Sequence, residues 1–138
     1  MAKKSFAVLG MGRFGRGVAL ALAQNGEEVM IVDKSGEHID QYASQVTYAI
    51  VADLADEEAV QDLGLGNMDA VIVAMGMDQE ASILSVMIAK ESGAKEVIAK
   101  AKSKRMGDIL LRVGADRVIF PEEEMGKWVA SSILARKE

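Results

Sequence analysis

The amino-acid sequence predicts an α/β fold, with a doubly wound parallel sheet of six strands in a single domain of 138 residues. Three observations lead to this prediction. Short apolar runs alternate with helical patterns along the whole chain. These runs are almost continuously apolar, as strands are when helices cover both faces of a sheet. A glycine-rich turn joins the first run to the first helical pattern, so strand and helix follow each other directly.

The N-terminal half contains three predicted strands and three predicted helices. The first helix spans residues 14–25, where apolar residues recur at helical spacing, and Gly26 ends it. A short helix at residues 37–44 links the second and third strands. Asp56 is placed to cap a third helix that ends near Leu63, because an aspartate accepts hydrogen bonds from free helical amides. The three strands are the apolar runs at residues 5–9, 28–32 and 47–51.

The C-terminal half continues the alternation. Its predicted strands are residues 70–74, 96–100 and 117–120. Its predicted helices are residues 79–92, 103–113 and about 122–136. Gly93 and Gly114 end the first two helices, Ser103 caps the second, and Pro121 separates the last helix from the sixth strand. Right-handed crossovers between parallel strands then give the expected strand order 3-2-1-4-5-6.

The composition excludes several classes of protein. The chain has no cysteine, which rules out disulfides, thiolate zinc sites and a cysteine nucleophile. No apolar run reaches the roughly 18 residues of a membrane span, and no signal-peptide pattern precedes the first strand. The formal net charge is −5 and the basic residues are scattered, so no nucleic acid partner is expected. We therefore expect a globular cytoplasmic protein.

The run Gly10-Met11-Gly12-Arg13-Phe14-Gly15 carries the most informative motif. A G-x-G-x-x-G pattern between a strand and a helix predicts a Rossmann-like nucleotide-binding loop. Gly10 permits the tight turn, Gly12 lets the backbone approach a phosphate, and Gly15 lets the helix pack closely on the strand. The free amides and the positive end of the helix dipole then face an anion. The alternative is that the glycines serve only as turn residues.

Two further residues fit a nucleotide-binding loop. Asp33 ends the second strand, about 20 residues after the loop, where a carboxylate accepts hydrogen bonds from ribose hydroxyls. It would repel a 2′-phosphate, which disfavours NADP. Arg13 lies inside the loop, and its guanidinium matches phosphate oxygens. The alternatives are a strand-end acid and a solvated arginine.

No catalytic machinery accompanies this loop in the sequence. His38 is the one histidine and is expected to face solvent, and Ser82 and Ser85 have no histidine to activate them. A dehydrogenase also needs a substrate domain, for which the chain leaves no room. We therefore expect a nucleotide sensor and not an enzyme. The alternatives are the cofactor-binding half of an NAD-dependent oxidoreductase and a redox-sensing module that binds NADH.

Several stretches of the chain resemble one known family. They are residues 8–15, 32–33, 51–53, 73–76, 98–101 and 114–122. The sequences Gly-Arg-Phe-Gly and Gly-Ala-Asp-Arg-Val, the latter followed by Pro-Glu, are far more specific than the glycine loop alone. In these stretches the chain resembles the N-terminal nucleotide-binding half of RCK domains (regulators of potassium conductance). Such domains occur in the cytosolic subunits of Ktr and Trk potassium uptake systems.

The resemblance implies a regulatory subunit or domain that gates a potassium transporter or channel. It implies binding of ATP, ADP or NAD(H), and assembly into homo-oligomers from dimers to octameric rings. It also implies a membrane potassium-translocating partner, which would place the protein at the inner face of the cell membrane. Arg13 would reach the nucleotide phosphates, including those of a neighbouring subunit, and Asp33 would hold the ribose with Lys34 and Ser35 beside it.

The resemblance implies further site residues at the ends of later strands. Phe14 belongs to the glycine loop itself, and Asp53 and Leu54 would flank the adenine. The loop after strand four would contribute Met75, Gly76 and Met77. After strand five, Lys100 and Ala101 would close the site. Glu122 matches an acid that takes part in a divalent cation site between subunits of such rings. The alternative for Glu122 is compensation of the dipole at a helix N-terminus.

Two departures from the family pattern affect these expectations. The usual C-terminal ligand-binding half is absent, as expected for a fragment of a longer chain or for a naturally short member. Position 53 is an aspartate where some relatives carry asparagine, so the adenine contacts are expected to differ.

The last helix carries Trp128 among apolar residues at helical spacing, and we expect it to form an arm that docks on a neighbouring subunit. Packing on its own domain is the alternative.

Overall fold

Six parallel strands and six helices alternate along residues 3–136, the part of the chain that the computed structural model describes. The strands are β1 (Ser5–Leu9), β2 (Glu28–Asp33), β3 (Tyr48–Val51), β4 (Ala70–Val73), β5 (Val97–Lys100) and β6 (Arg117–Ile119). The helices are α1 (Arg13–Gln24), α2 (Gly36–Tyr42), α3 (Glu57–Gln61), α4 (Gln79–Ser92), α5 (Lys104–Arg112) and α6 (Pro121–Ala135). Every predicted strand and helix is therefore present.

The strand order is β3-β2-β1-β4-β5-β6, which confirms the order expected from the sequence. All five neighbouring pairs are parallel. From β1 the chain adds β2 and then β3 on one side of the sheet. It then crosses back to add β4, β5 and β6 on the other side of β1, so the strand order reverses at β1. Such a reversal opens a crevice at the carboxyl ends of the strands.

Helices cover both faces of the sheet and bury its alternating side chains. On one face, Val8 and Ile31 pack with Ala19 of α1 and with Ile39 of α2. On the other face, buried side chains of the same strands pack with those of α3, α4 and α5; this set includes Leu9, Val32, Val60, Val73, Val86 and Leu110. Burial on two sides explains why the strands are almost continuously apolar in the sequence.

The helix boundaries follow local chemistry closely. The predicted caps are confirmed: Asp56 accepts a hydrogen bond from the Glu58 amide and Ser103 accepts one from the Met106 amide. Pro121 does more than end β6, since it occupies the first turn of α6, where its missing amide hydrogen is not needed. The sequence did not predict the short 3₁₀ turns at Ala43–Gln45 and Leu65–Asn67, which follow α2 and α3.

The last helix, α6, lies apart from the sheet. None of its residues is buried, and Trp128 is 63% exposed. Its other exposed apolar side chains are Met125, Val129, Ile133 and Leu134. The alternative that α6 packs on its own domain is therefore not what the structure shows. No helix within residues 3–136 combines the length and the apolar character needed to cross a membrane.

Candidate functional site

The crevice at the carboxyl ends of the strands is a groove of about 1230 Å³. The loops that follow β1 to β5 contribute to its wall. After β6, the first residues of α6 line the groove. The lining residues are Gly10, Met11, Gly12, Arg13, Phe14, Asp33, Lys34, Asp53, Leu54, Ala74, Met75, Gly76, Met77, Asp78, Ala81, Lys100, Ala101, Lys102, Phe120, Pro121, Glu122, Glu123 and Met125. The groove is thus centred on the loop between β1 and α1.

The three loop glycines have different structural roles. Gly10 has a φ of +103°, and a Cβ there would lie 2.7 Å from Met75 Cγ. A Cβ on Gly15 would overlap the carbonyl oxygen of Gly10, so only glycine permits this approach of helix to loop. Gly12 has no protein atom within 4 Å of a built Cβ. Gly10 and Gly15 therefore serve the fold, whereas Gly12 leaves space at the groove.

The N-terminus of α1 has the chemistry of an anion-binding position. Its N-cap is Gly12, which offers no side-chain hydrogen bond, and its first turn holds no acidic residue. In the described chain the amides of Gly12, Arg13 and Phe14 donate no hydrogen bond. Four of the other five described helices start differently, because α2, α3, α4 and α5 are each capped by a serine or aspartate side chain. Free amides, the helix dipole and the Arg13 guanidinium together favour a phosphate.

Asp33 links the glycine loop to the end of β2. The Met11 amide donates to its Oδ2 at 2.7 Å, and the Ser35 amide donates to its Oδ1 at 2.8 Å. His38 Nδ1 lies 4.0 Å from Oδ2, and the Asp33 side chain is 16% exposed. A carboxylate has acceptor capacity beyond two hydrogen bonds. Asp33 therefore holds the loop in place and can still accept hydrogen bonds from a ribose.

Ser35 and Asp53 bound the groove near Asp33. The Ser35 hydroxyl accepts from the His38 amide and caps α2, so this side chain is used by the fold. Asp53 is exposed, and its Oδ1 accepts from the Ala55 amide at 3.0 Å. Leu54 is only 4% exposed and belongs to the core as well as to the groove wall.

The opposite wall comes from the loops after β4 and β5 and carries two lysines, Lys100 and Lys102. A Cβ on Gly76 would lie 3.2 Å from Lys100 Nζ, so the lysine side chain runs across this glycine. Lys102 Nζ lies 3.0 Å from the sulfur of Met77, which is 81% exposed. Ala101 is buried and donates its amide to Ile119. The groove therefore has two ammonium groups at the β5 end. Its carboxylates lie at the β2 and β3 ends, after β4 and at the start of α6.

The TrkA-N domain model matches residues 6–121, which is most of the chain. The chain belongs to the TrkA-N domain family. This confirms the resemblance to the N-terminal half of RCK domains. This chain is 40% identical over 133 residues to Ktr system potassium uptake protein C of Bacillus subtilis, and the match covers 96% of this chain and 60% of that protein. It is 42% identical over 134 residues to Ktr system potassium uptake protein A of Vibrio alginolyticus, matching 97% and 61%.

Solved structures show the same fold. The TrkA-N domain of the inner membrane protein ybaL from Escherichia coli superposes with a TM-score of 0.81 at 19% identity, covering 94% of this chain and 96% of that one. The GsuK channel bound to NAD superposes with a TM-score of 0.76 at 14% identity, covering 92% of this chain and 23% of that one. The present TrkA-N domain spans about three fifths of the length of its Ktr relatives.

The groove of this TrkA-N domain brings together nearly all the residues that the sequence singled out. Of the predicted nucleotide-site residues, only Gly15 and Ser35 do not line it, and both act on the fold beside it. The sequence missed a group of lining residues: Met11, Ala74, Asp78, Ala81, Lys102, Phe120, Pro121, Glu123 and Met125. Those directly after a strand, such as Ala74 and Lys102, were open to prediction from strand ends. Met125 was not, since only the path of α6 brings it to the groove.

Glu122 lies at the rim of the groove in the TrkA-N domain and is exposed. The acid that serves the start of α6 directly is Glu124, whose Oε2 accepts from the Phe120 amide at 2.9 Å. Within residues 3–136, no group of three or more metal-ligating side chains is arranged to hold an ion. A cation at Glu122 would need ligands from another molecule, and this role stays a prediction.

Proposed function

We propose that this chain is the nucleotide-sensing regulatory domain of a potassium transporter or channel. The observation that carries the proposal is the uncapped start of α1, where Arg13 and free amides line the groove beside Asp33. Two relatives are named as Ktr potassium uptake proteins, and one neighbour in fold is a channel with NAD bound. These names agree with a regulatory role in potassium transport.

The ligand in this proposal is ATP, ADP or NAD(H). It lies along the groove with its adenine at the β3 end and its phosphates toward β1 and β4. Asp33 accepts from the ribose hydroxyls, and Asp53 and Leu54 lie beside the adenine. The amides at the start of α1 and Arg13 hold the first two phosphates. The remaining part of the ligand extends over Gly76 toward the β5 end. A groove of about 1230 Å³ has room for a ligand of this size.

Sensing in this proposal is a population shift between assemblies. A nucleotide shifts a conformational equilibrium only through contacts that differ between the states. Arg13 is exposed at the groove mouth and is placed to contact phosphates of its own or a neighbouring subunit. The exposed helix α6 begins at the groove rim and would carry the change to a second copy in a dimer or ring. That ring would act on a membrane potassium-translocating subunit at the inner face of the cell membrane.

Binding and not catalysis is the proposed role of the groove. Its described lining includes no histidine, serine, threonine or cysteine, so it presents no hydroxyl or thiol nucleophile paired with a histidine base. Mass spectrometry of the nucleotide retained on purification tests this against the oxidoreductase alternative. Retained ATP or ADP would argue against an oxidoreductase half, because the cofactor of that alternative is NAD.

Arg13→Ala is the direct test of the phosphate contact. Loss of a charge-assisted hydrogen bond is expected to weaken ATP and ADP binding by roughly ten- to a hundredfold, measured by isothermal titration calorimetry. Arg16→Ala is the matched control, because the Arg16 guanidinium lies 5.9 Å from the centre of the Tyr42 ring and does not line the groove. Unchanged ATP and ADP affinities in Arg13→Ala would show that Arg13 is not the phosphate sensor.

A further inference from the structure

One buried hydroxyl holds the loop between β4 and α4 behind the groove. Ser82 is 2% exposed, and its Oγ lies 2.7 Å from the Met75 carbonyl oxygen and 2.9 Å from the Asp78 carbonyl oxygen. The Asp78 carbonyl already accepts from the Ser82 amide at 3.0 Å. The Met75 carbonyl accepts no other hydrogen bond within residues 3–136. Since a hydroxyl has one hydrogen to donate, we assign it to Met75.

This hydrogen bond fixes the direction of the amide that follows. A peptide unit is planar and trans, so its C=O and N–H groups point in opposite directions. With the Met75 carbonyl held toward α4, the Gly76 N–H is directed away from α4. Gly76 lines the groove, and its amide donates no hydrogen bond within the described chain. Ser82 therefore keeps a free backbone donor oriented at the groove wall.

The Lys100 ammonium lies next to this donor. Lys100 Cε and Nζ would be 3.1 Å and 3.2 Å from a Cβ on Gly76. Lys100 is half-buried and forms no ion pair with another residue of the range 3–136. An unpaired ammonium beside a free amide favours an anionic acceptor.

We propose that Ser82 is a positioning residue, which turns the Gly76 amide so that it joins Lys100 in binding the terminal phosphate of a nucleoside triphosphate. The proposal rests on the proposed function, in which the ribose and the first two phosphates occupy Asp33 and the glycine loop. Because β4 and β5 follow β1 in the sheet order, a third phosphate extends toward Gly76 and Lys100. Ser82 thereby raises the affinity for ATP relative to ADP without touching either nucleotide.

The test is the ratio of ATP to ADP affinity in Ser82→Ala, measured by calorimetry on the 138-residue chain. We expect ATP binding to weaken about fivefold, the worth of one misdirected hydrogen bond, and ADP binding to stay within about twofold. Ser85→Ala is the matched control: Ser85 is one turn along the same helix, fully buried, and its hydroxyl has no hydrogen-bond partner. It is expected to leave both affinities unchanged.

The outcomes separate this inference from the proposed function. If the wild-type chain binds neither ATP nor ADP, the proposed function fails. If it binds both and Ser82→Ala keeps the wild-type affinity ratio, only the positioning role is wrong. A merely structural role would weaken ATP and ADP alike. Should Ser82→Ala not fold, Ser82→Cys replaces it, because a thiol fills the place of the hydroxyl and donates only weakly; the ratio of ATP to ADP affinity is expected to fall in the same direction.

Discussion

At the scale of single residues, the glycine loop contains glycines that the fold requires and one, Gly12, that it does not. Gly15 faces the Gly10 carbonyl at a distance that no side chain allows. Gly12 has a φ of −72°, which any residue adopts, and open space where a Cβ would be. Its glycine is therefore not required by the protein alone, and a ligand that comes close to the backbone explains it.

Substitution of the two glycines by alanine is expected to give opposite phenotypes. Gly12→Ala should change the free energy of unfolding by less than about 0.5 kcal/mol and weaken ATP or ADP binding about tenfold or more, since its Cβ occupies the space of a phosphate. Gly15→Ala should lower the free energy of unfolding by about 2 kcal/mol or more through overpacking. Urea denaturation and calorimetric titration measure the two effects. Full nucleotide affinity in Gly12→Ala would contradict the proposed ligand position.

Asp33 holds the glycine loop in place, and in the proposed function it also holds the ribose. Its two oxygens accept hydrogen bonds from the amides of Met11 and Ser35. The sequence predicted the acid from its place at the end of β2, but it did not predict that the same carboxylate holds the loop. That role depends on the distance between β1 and β2, which only the folded sheet fixes.

At the scale of elements, two aspartates far from the groove join neighbouring elements at the amino ends of the strands. They accept hydrogen bonds from a strand amide and from a lysine. The Ser5 amide, and then Lys95, lower the pKa of Asp69. The Lys90 ammonium, 2.7 Å from Oδ1, and the Val97 amide, 2.7 Å from Oδ2, lower the pKa of Asp116 below its ordinary value of 3.8. Asp116 thereby ties α4 and β5 to the turn before β6.

Asp116→Asn is expected to make the fold less stable in a pH-dependent way. The folded-state pKa is lowered, so ionised Asp116 stabilises the fold above pH 3.8, and this contribution is lost as the pH falls through the lowered value. Near neutral pH the variant should lose about 1 kcal/mol of unfolding free energy, the net worth of a half-exposed hydrogen-bonded ion pair. Urea denaturation near neutral pH and well below pH 3.8 measures both values.

The control for this prediction is Asp108→Asn, because Asp108 is exposed on α5. It should leave the unfolding free energy within about 0.5 kcal/mol of wild type. The difference between wild type and Asp116→Asn should shrink in acid, where the wild-type carboxyl is neutral. A difference that persists unchanged in acid would contradict the ion-pair explanation.

At the scale of the whole molecule, α6 presents exposed apolar side chains, and none of its residues is buried within the described range 3–136. Trp128, Ile133 and Leu134 are each more than half exposed on it. Exposed apolar side chains grouped on one helix mark an interaction surface. The proposed oligomer supplies the partner, since a second copy presents the same helix and groove rim.

Trp128→Glu is expected to disrupt assembly without unfolding the domain. Because Trp128 is 63% exposed, its loss should change the unfolding free energy of the monomer by less than about 0.5 kcal/mol. Its charge should destabilise an apolar interface, so the molar mass from light scattering should fall toward that of one chain. Lys127→Glu, at an exposed neighbouring position, is the control for charge. A wild-type chain that is already monomeric at micromolar concentration would overturn the docking role of α6.

The sequence by itself determined the order and type of the elements, the parallel sheet and most of the groove. Periodic burial and local caps, such as Asp56 and Ser103, are written in short stretches of chain, and strand ends in this fold meet at one edge. The tertiary structure alone decided that α6 stands apart from the sheet and that Ser82 holds the Met75 carbonyl. Both depend on distances between residues that pack together only after folding, which a local pattern does not contain.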